Sequence, residues 1–138
     1  MRATLWQEYR HSFAIHADRV GIRMGTTELT YAEIEAWSAA VAAQFAAAGL
    51  GAGDSIALYL RNCAEFIVAD VAIARLGAVK VPINFMLPVG TVEYILERSG
   101  AKALVVGTEL PTGAIAVPSV VFEAGTRPRA GEIGRAHV

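Results

Sequence analysis

The sequence predicts an α/β fold: a three-layer parallel-sheet subdomain of βαβαβ order, preceded by a helix and a short β-hairpin. Three observations predict it. Short apolar runs with strand character recur at 55–60, 78–83 and 103–106. Segments of helical character lie between them, and Gly77 and Gly100 stop those segments. Strands alternating with helices at this spacing join through right-handed crossovers into a parallel sheet. With 54% hydrophobic and 18% charged residues, the chain of 138 has ample material for a packed core and no general sign of disorder.

The opening helix is predicted over Thr4 to Ala17, with Leu5, Tyr9, Phe13 and His16 on one face. Val20 to Met24 and Glu28 to Thr30 read as two short strands around the turn Gly25-Thr26-Thr27. Thr30 and Glu33 then form a capping box, in which each side chain satisfies an otherwise orphaned backbone N–H. Leu29 and Ile34 stand at the positions of a hydrophobic staple. Ile34, Trp37, Val41, Phe45 and Ala48 make the apolar stripe of this helix, and Gly49 supplies its left-handed stop.

After Gly53-Asp54, Ser55 to Leu60 is a short apolar strand. Asn62 and Glu65 repeat the cap pattern with Asn, opening a helix that closes at Gly77. That helix is apolar nearly all round, which predicts burial on more than one side. Ala78 to Ile83 is the second strand. Pro88 is accommodated in the first turn of the next helix, whose core face is Val92, Ile95 and Leu96 before Gly100 ends it. Ala103 to Val106 is the third strand, and Ser119 to Phe122 reads as a fourth.

Composition excludes several classes. A formal net charge of −1 gives no basic footprint for nucleic acid. The apolar run Phe66 to Ala74 is interrupted by Asp70, so no membrane span is expected and the default location is cytoplasmic. A single cysteine, Cys63, cannot form an intrachain disulfide and offers no metal-binding spacing. At the first position of a helix its thiol would feel the helix dipole, but nothing nearby resembles a general base. His11 and His16, five residues apart, turn to different helix faces. Gly49-Leu50-Gly51-Ala52-Gly53 follows a helix and precedes a strand, the reverse of a dinucleotide loop, and reads as a connector. Gly25-Thr26-Thr27 lacks the lysine of a phosphate loop and reads as a turn.

Two segments carry a family resemblance. Leu29-Thr30-Tyr31-Ala32-Glu33-Ile34 and Ala74-Arg75-Leu76-Gly77-Ala78-Val79-Lys80-Val81-Pro82-Ile83-Asn84 resemble, in order and spacing, the first two core motifs of AMP-forming acyl-CoA synthetases and ligases. Gly53-Asp54 and Asn62 with Glu65-Phe66 fit the same run, and the resemblance covers residues 1 to 123. It implies that residues 1–131 are a partial N-terminal AMP-binding domain, the opening part of the large N-terminal domain of an adenylate-forming enzyme. Both motifs belong to the scaffold there, in agreement with the capping and strand-end roles read from the residues themselves.

The resemblance implies a parent that forms an acyl-adenylate from a carboxylic acid and ATP with Mg²⁺, then transfers the acyl group to CoA. The family's Ser/Thr/Gly-rich loop with Lys, its ribose-binding Asp and its C-terminal Lys find no match here, so catalytic, cofactor-binding and metal-binding residues are each assigned as none. The chain is expected to be inactive alone, binding neither ATP, Mg²⁺ nor CoA productively. Ile83-Asn84-Phe85 favours the CoA-ligase branch over peptide-synthetase adenylation domains, which usually carry Asp at the position of Asn84. Met86 departs from the Arg of many relatives and removes a charged donor fork.

The alternatives are a free-standing, non-catalytic α/β module that binds a small molecule or partner, and a subunit completed by a separate chain. From Gly125 the sequence loses apolar periodicity. Its last six residues, Ile133 to Val138, resemble the translation of a sequencing adapter, so 132–138 is expected to be a non-native tail; the plain alternative is a polar terminus. An unpaired sheet edge and exposed apolar surface predict self-association.

Overall fold

The structure, a computed structural model, describes residues 3–107 and 120–124. Within them α1 (Leu5–Ile15) leads into a hairpin of β1 (Val20–Met24) and β2 (Thr27–Thr30). Then follow α2 (Tyr31–Ala47), β3 (Ser55–Tyr59), α3 (Ala64–Leu76), β4 (Val79–Pro82), α4 (Val89–Ser99), β5 (Ala103–Gly107) and β6 (Val120–Ala124). The last four strands form one sheet in the order β4-β3-β5-β6, every pair parallel. The fourth strand joins the expected βαβαβ unit beside β5; Ser119 and the segment 132–138, with His137, lie outside the described residues.

Strand alternation sorts the core onto two faces. Ile56, Leu58, Ala103 and Val105 meet α2 and α3 on one side, with Trp37, Val41, Phe45 and Val68 packed among them. Ala57, Tyr59, Leu104 and Val106 turn to the other side and meet Val92 and Leu96 of α4. This makes three layers, with both faces of the central strands covered as a parallel sheet requires. The near-continuous apolar reading of α3 has its cause here: Val68, Ala69, Val71, Ala72 and Ile73 are all buried.

Several boundaries and faces differ from expectation. α1 begins at Leu5 because Thr4 is its cap: the Thr4 Oγ1 accepts from the Gln7 N–H, and the Gln7 Oε1 accepts from the Thr4 N–H. Leu5 is 57% exposed. The docking face instead uses Trp6, Tyr9 and Phe13, with the Arg75 guanidinium 4.1 Å from the Trp6 ring centre. Ala48, expected on the α2 stripe, is the exposed C-cap of that helix, whereas Ile34, Trp37, Val41 and Phe45 are buried. Asn62 does not cap α3. Cys63 holds that position and makes no side-chain cap hydrogen bond. Pro88 is likewise the N-cap of α4 and stands outside the first turn. The hairpin turn narrows to Gly25 and Thr26, with Gly25 at φ +58°.

Candidate functional site

Open parallel sheets present ligands at the carboxyl ends of strands, where neighbouring connections diverge. In this chain β3 lies between β4 and β5, and the loops leaving β3 and β4 form that edge. The β4 loop is built by short contacts. Ile83 is buried in the α4-side core, and Asn84 Oδ1 accepts from the Met86 N–H at 2.9 Å. The Tyr59 hydroxyl, at the end of β3, donates to the Leu87 carbonyl at 3.2 Å. The Arg61 guanidinium lies 5.1 Å from the Phe85 ring centre and ties the two loops together. Met86, 78% exposed, is displayed beyond them.

Beside the β3 loop, a cleft of about 450 Å³ opens between β1 and the first turn of α3. Ile22, Met24, Phe66 and Ile67 give it apolar walls, with Arg23, Asn62 and Cys63 as its polar groups. The volume suits a small ligand or a packed side chain. Its chemistry is quiet. Desolvation, reinforced by the Glu65 carboxylate, outweighs the backbone N–H groups of Phe66 and Glu65 and pushes the Cys63 thiol up to about 11. Burial therefore sets the direction at Cys63, a thiol for which the sequence offered no general base. Arg23 is bound to Glu28 at 2.8 Å.

The other residues singled out by sequence take structural places. His11 is exposed, and His16 packs against the Tyr31 ring. Asp70 pairs with Lys80 of β4 at 3.1 Å. Gly49 and Gly53, both at positive φ, bracket the connector between α2 and β3. Within it Asp54 Oδ2 accepts from the Gly51 N–H at 2.9 Å, while Lys102 binds Asp54 Oδ1 at 2.7 Å. Among the described residues no group of three His, Cys, Asp or Glu could hold a metal ion, and no helix is long and apolar enough to cross a membrane. The Arg61–Phe85 and Tyr59–Leu87 contacts were not found by sequence reasoning. They join residues distant in the chain, and only the parallel register of β3 and β4 brings them together.

A family profile described as "AMP-binding enzyme" matches residues 9–133. The chain is similar to a medium/long-chain-fatty-acid–CoA/3-oxocholest-4-en-26-oate–CoA ligase of Mycobacterium marinum, 34% identical over 95 residues, or 69% of this chain and 17% of that protein. It is also similar to naringenin synthase of Pestalotiopsis fici, 38% identical over 88 residues, which are 64% of this chain and 3% of that protein. Its fold is shared with O-succinylbenzoate coenzyme A synthetase of Bacillus subtilis, solved with AMP: TM-score 0.79 at 24% identity, over 96% of this chain and 32% of that one. The chain thus spans 17% or less of the length of these curated relatives.

Proposed function

Because the chain belongs to the AMP-binding enzyme family, we propose that it is the opening part of an ATP-dependent carboxylic acid–CoA ligase and is inactive alone. The observation that carries this reading is the family match over residues 9–133, with a fatty-acid–CoA ligase among the relatives. Ile83-Asn84-Phe85 supports the CoA branch. In the whole enzyme a carboxylate oxygen attacks the α-phosphorus of ATP and pyrophosphate leaves. The thiolate of CoA then attacks the acyl carbon and AMP departs. Developing phosphoryl charge calls for Mg²⁺, cations and oriented N–H donors. The described residues offer neither a metal cluster nor a lysine-bearing phosphate loop. Their part is scaffold: α2 and α3 on one face and α4 on the other fix β3, β4 and the loops at their carboxyl ends.

On this reading residues 1–131 are domain, residues 132–138 are non-native, and the protein is cytoplasmic. The isolated chain self-associates through a sheet edge. The match to naringenin synthase, of which the chain covers 3%, supports a second reading: the region belongs to a protein far longer than the fatty-acid–CoA ligase relative.

The test is to recover the source gene beyond the codon for Gly131 and assay both products. Acid-dependent ATP–pyrophosphate exchange by the longer protein, with none by the 138-residue chain, is expected. AMP release that requires CoA selects the first reading, and a gene that continues far beyond the length of the fatty-acid–CoA ligase relative selects the second. Exchange catalysed by the short chain would overturn its assignment as inactive scaffold.

A further inference from the structure

Apart from its covalent connection, α1 is held on the fold by side-chain contacts. Of its 11 residues only Phe13 is buried, while Leu5 and Ile15 at its two ends are 57% and 61% exposed. It packs mainly on α2 and α3. Its ties are rings. Tyr9 stacks on Phe13 with 5.8 Å between centres, Phe13 meets Tyr31 of α2 at 5.4 Å, and Trp6 lies 4.1 Å from the Arg75 guanidinium of α3. Among the described residues no hydrogen bond or ion pair carries residues 5–15 to another helix or to a strand.

The backbone is pinned immediately after the helix. The Ala17 and Arg19 carbonyls accept from the Ala32 and Tyr31 N–H groups, both at 3.0 Å, and fix the turn into β1 against the start of α2. His16, at φ −110° and ψ 22°, stands between α1 and this anchor. Rotation there moves α1 as a body and leaves the hairpin and α2 undisturbed.

The surface beneath α1 is charged. Arg75 Nη1 is buried without a hydrogen-bond partner, a donor that water would satisfy were α1 displaced. Desolvation draws the Arg75 guanidinium below its ordinary value; the Glu35 carboxylate of α2 opposes this, and Arg10 of α1 adds to it. Glu35 is thus near enough to act on Arg75, yet among the described residues the two form no ion pair. Burial first, and the Asp70 carboxylate second, raise the Tyr9 hydroxyl above its ordinary value. Docking therefore gains a buried ring and a cation–π contact, and it costs a desolvated charge with an unmet donor.

We propose that α1 is a hinged strap: it leaves the α2–α3 face as a unit about His16, while the sheet and the other helices stay folded. In the docked state Trp6 holds the Arg75 guanidinium. In the open, minor state Glu35 takes it. Arg75 is the side chain with two arrangements, and α1 decides between them.

Hydrogen exchange on the full 138-residue chain, read amide by amide, tests both parts. The helix-bonded amides of α1, from Glu8 onward, should share one protection factor, about tenfold or more below those of α3 and β3. Protection that climbs steadily from Glu8 to Ile15 means fraying and overturns the strap, as does protection equal to that of α3. Trp6→Ala should lower α1 protection about tenfold, since the ring holds the docked state alone. A matching fall in α3 and β3 would show that α1 does not open by itself, and would overturn the strap as well. Glu35→Gln should raise α1 protection roughly two- to fivefold, the worth of one exposed ion pair, because the open state loses its partner for Arg75. Trp6→Ala without effect on α1, or Glu35→Gln that leaves its protection unchanged or lower, overturns the exchange of Arg75 between partners.

Discussion

Thr30 Oγ1 accepts from the Glu33 N–H and Glu33 Oε1 accepts from the Thr30 N–H, both at 3.1 Å. The pair was legible in sequence because both partners lie within one turn and need no tertiary information. Thr30→Ala removes the cap and should cost about 1 kcal/mol, read as a lower urea midpoint at unchanged slope, with Thr30→Ser restoring most of it. Asp54 shows the opposite kind of residue. Its cap on the Gly51 N–H is local, but the Lys102 ammonium reaches it from the start of β5, and no local pattern announces that. The Lys102 hydrogen bond first, and the Gly51 N–H second, hold the Asp54 carboxyl below the ordinary carboxylate range. A depressed carboxyl contributes stability above its unfolded-state pKa and loses it as pH falls through the folded-state value. Asp54→Asn should therefore lower the midpoint at neutral pH, and the difference should vanish on acidification below the carboxyl range. A pH-independent difference would mean that Asn fails to replace the turn hydrogen bond and that the charge is irrelevant.

At the scale of elements, strands and helix stops were readable because their signals are local: a short apolar run in β3, a left-handed glycine after α3 and α4. The misses fall where a neighbouring element decides. Periodicity alone chose Leu5 for the face of α1, but the Arg75 side chain on α3 selects Trp6. The α3 start slipped by one residue because Asn62 and Cys63 are both compatible with an extended cap, and Asn is the better cap by chemistry. Cys63 has the backbone of a good N-cap, φ −150° and ψ 167°, with no oxygen to offer. Cys63→Ser should therefore stabilise the fold by about 1 kcal/mol, the usual worth of a hydroxyl cap. Loss of a partly buried sulfur works in the opposite direction, because the neutral thiol packs as a small hydrophobe. A midpoint unchanged or lowered in urea would show that the cleft wall depends on sulfur packing more than the helix depends on its cap.

Among the described residues one four-stranded sheet serves two cores, and β3 alternates between them residue by residue. The fold class followed from short apolar strands alternating with helices along the chain. The site did not, since its loops are joined by contacts between residues brought together only when β3 and β4 pair. Two cores sharing the same strands should not melt separately. Leu58 on the α2–α3 face and Leu104 on the α4 face are each fully buried. Truncation of either to Ala should cost about 2–5 kcal/mol, a large share of the roughly 5–15 kcal/mol that holds a domain together. Both tryptophans, Trp6 and Trp37, report on the α2–α3 face, whereas far-ultraviolet circular dichroism reports on every element. In the Leu104→Ala variant the two signals should still unfold at one midpoint, because losing α4 strips the cover from β3 and β5, on which the other face is built. If circular dichroism fell first while tryptophan fluorescence stayed native, the α4 face would be an independent unit. The sheet would then transmit less of its stability between faces than its shared strands imply.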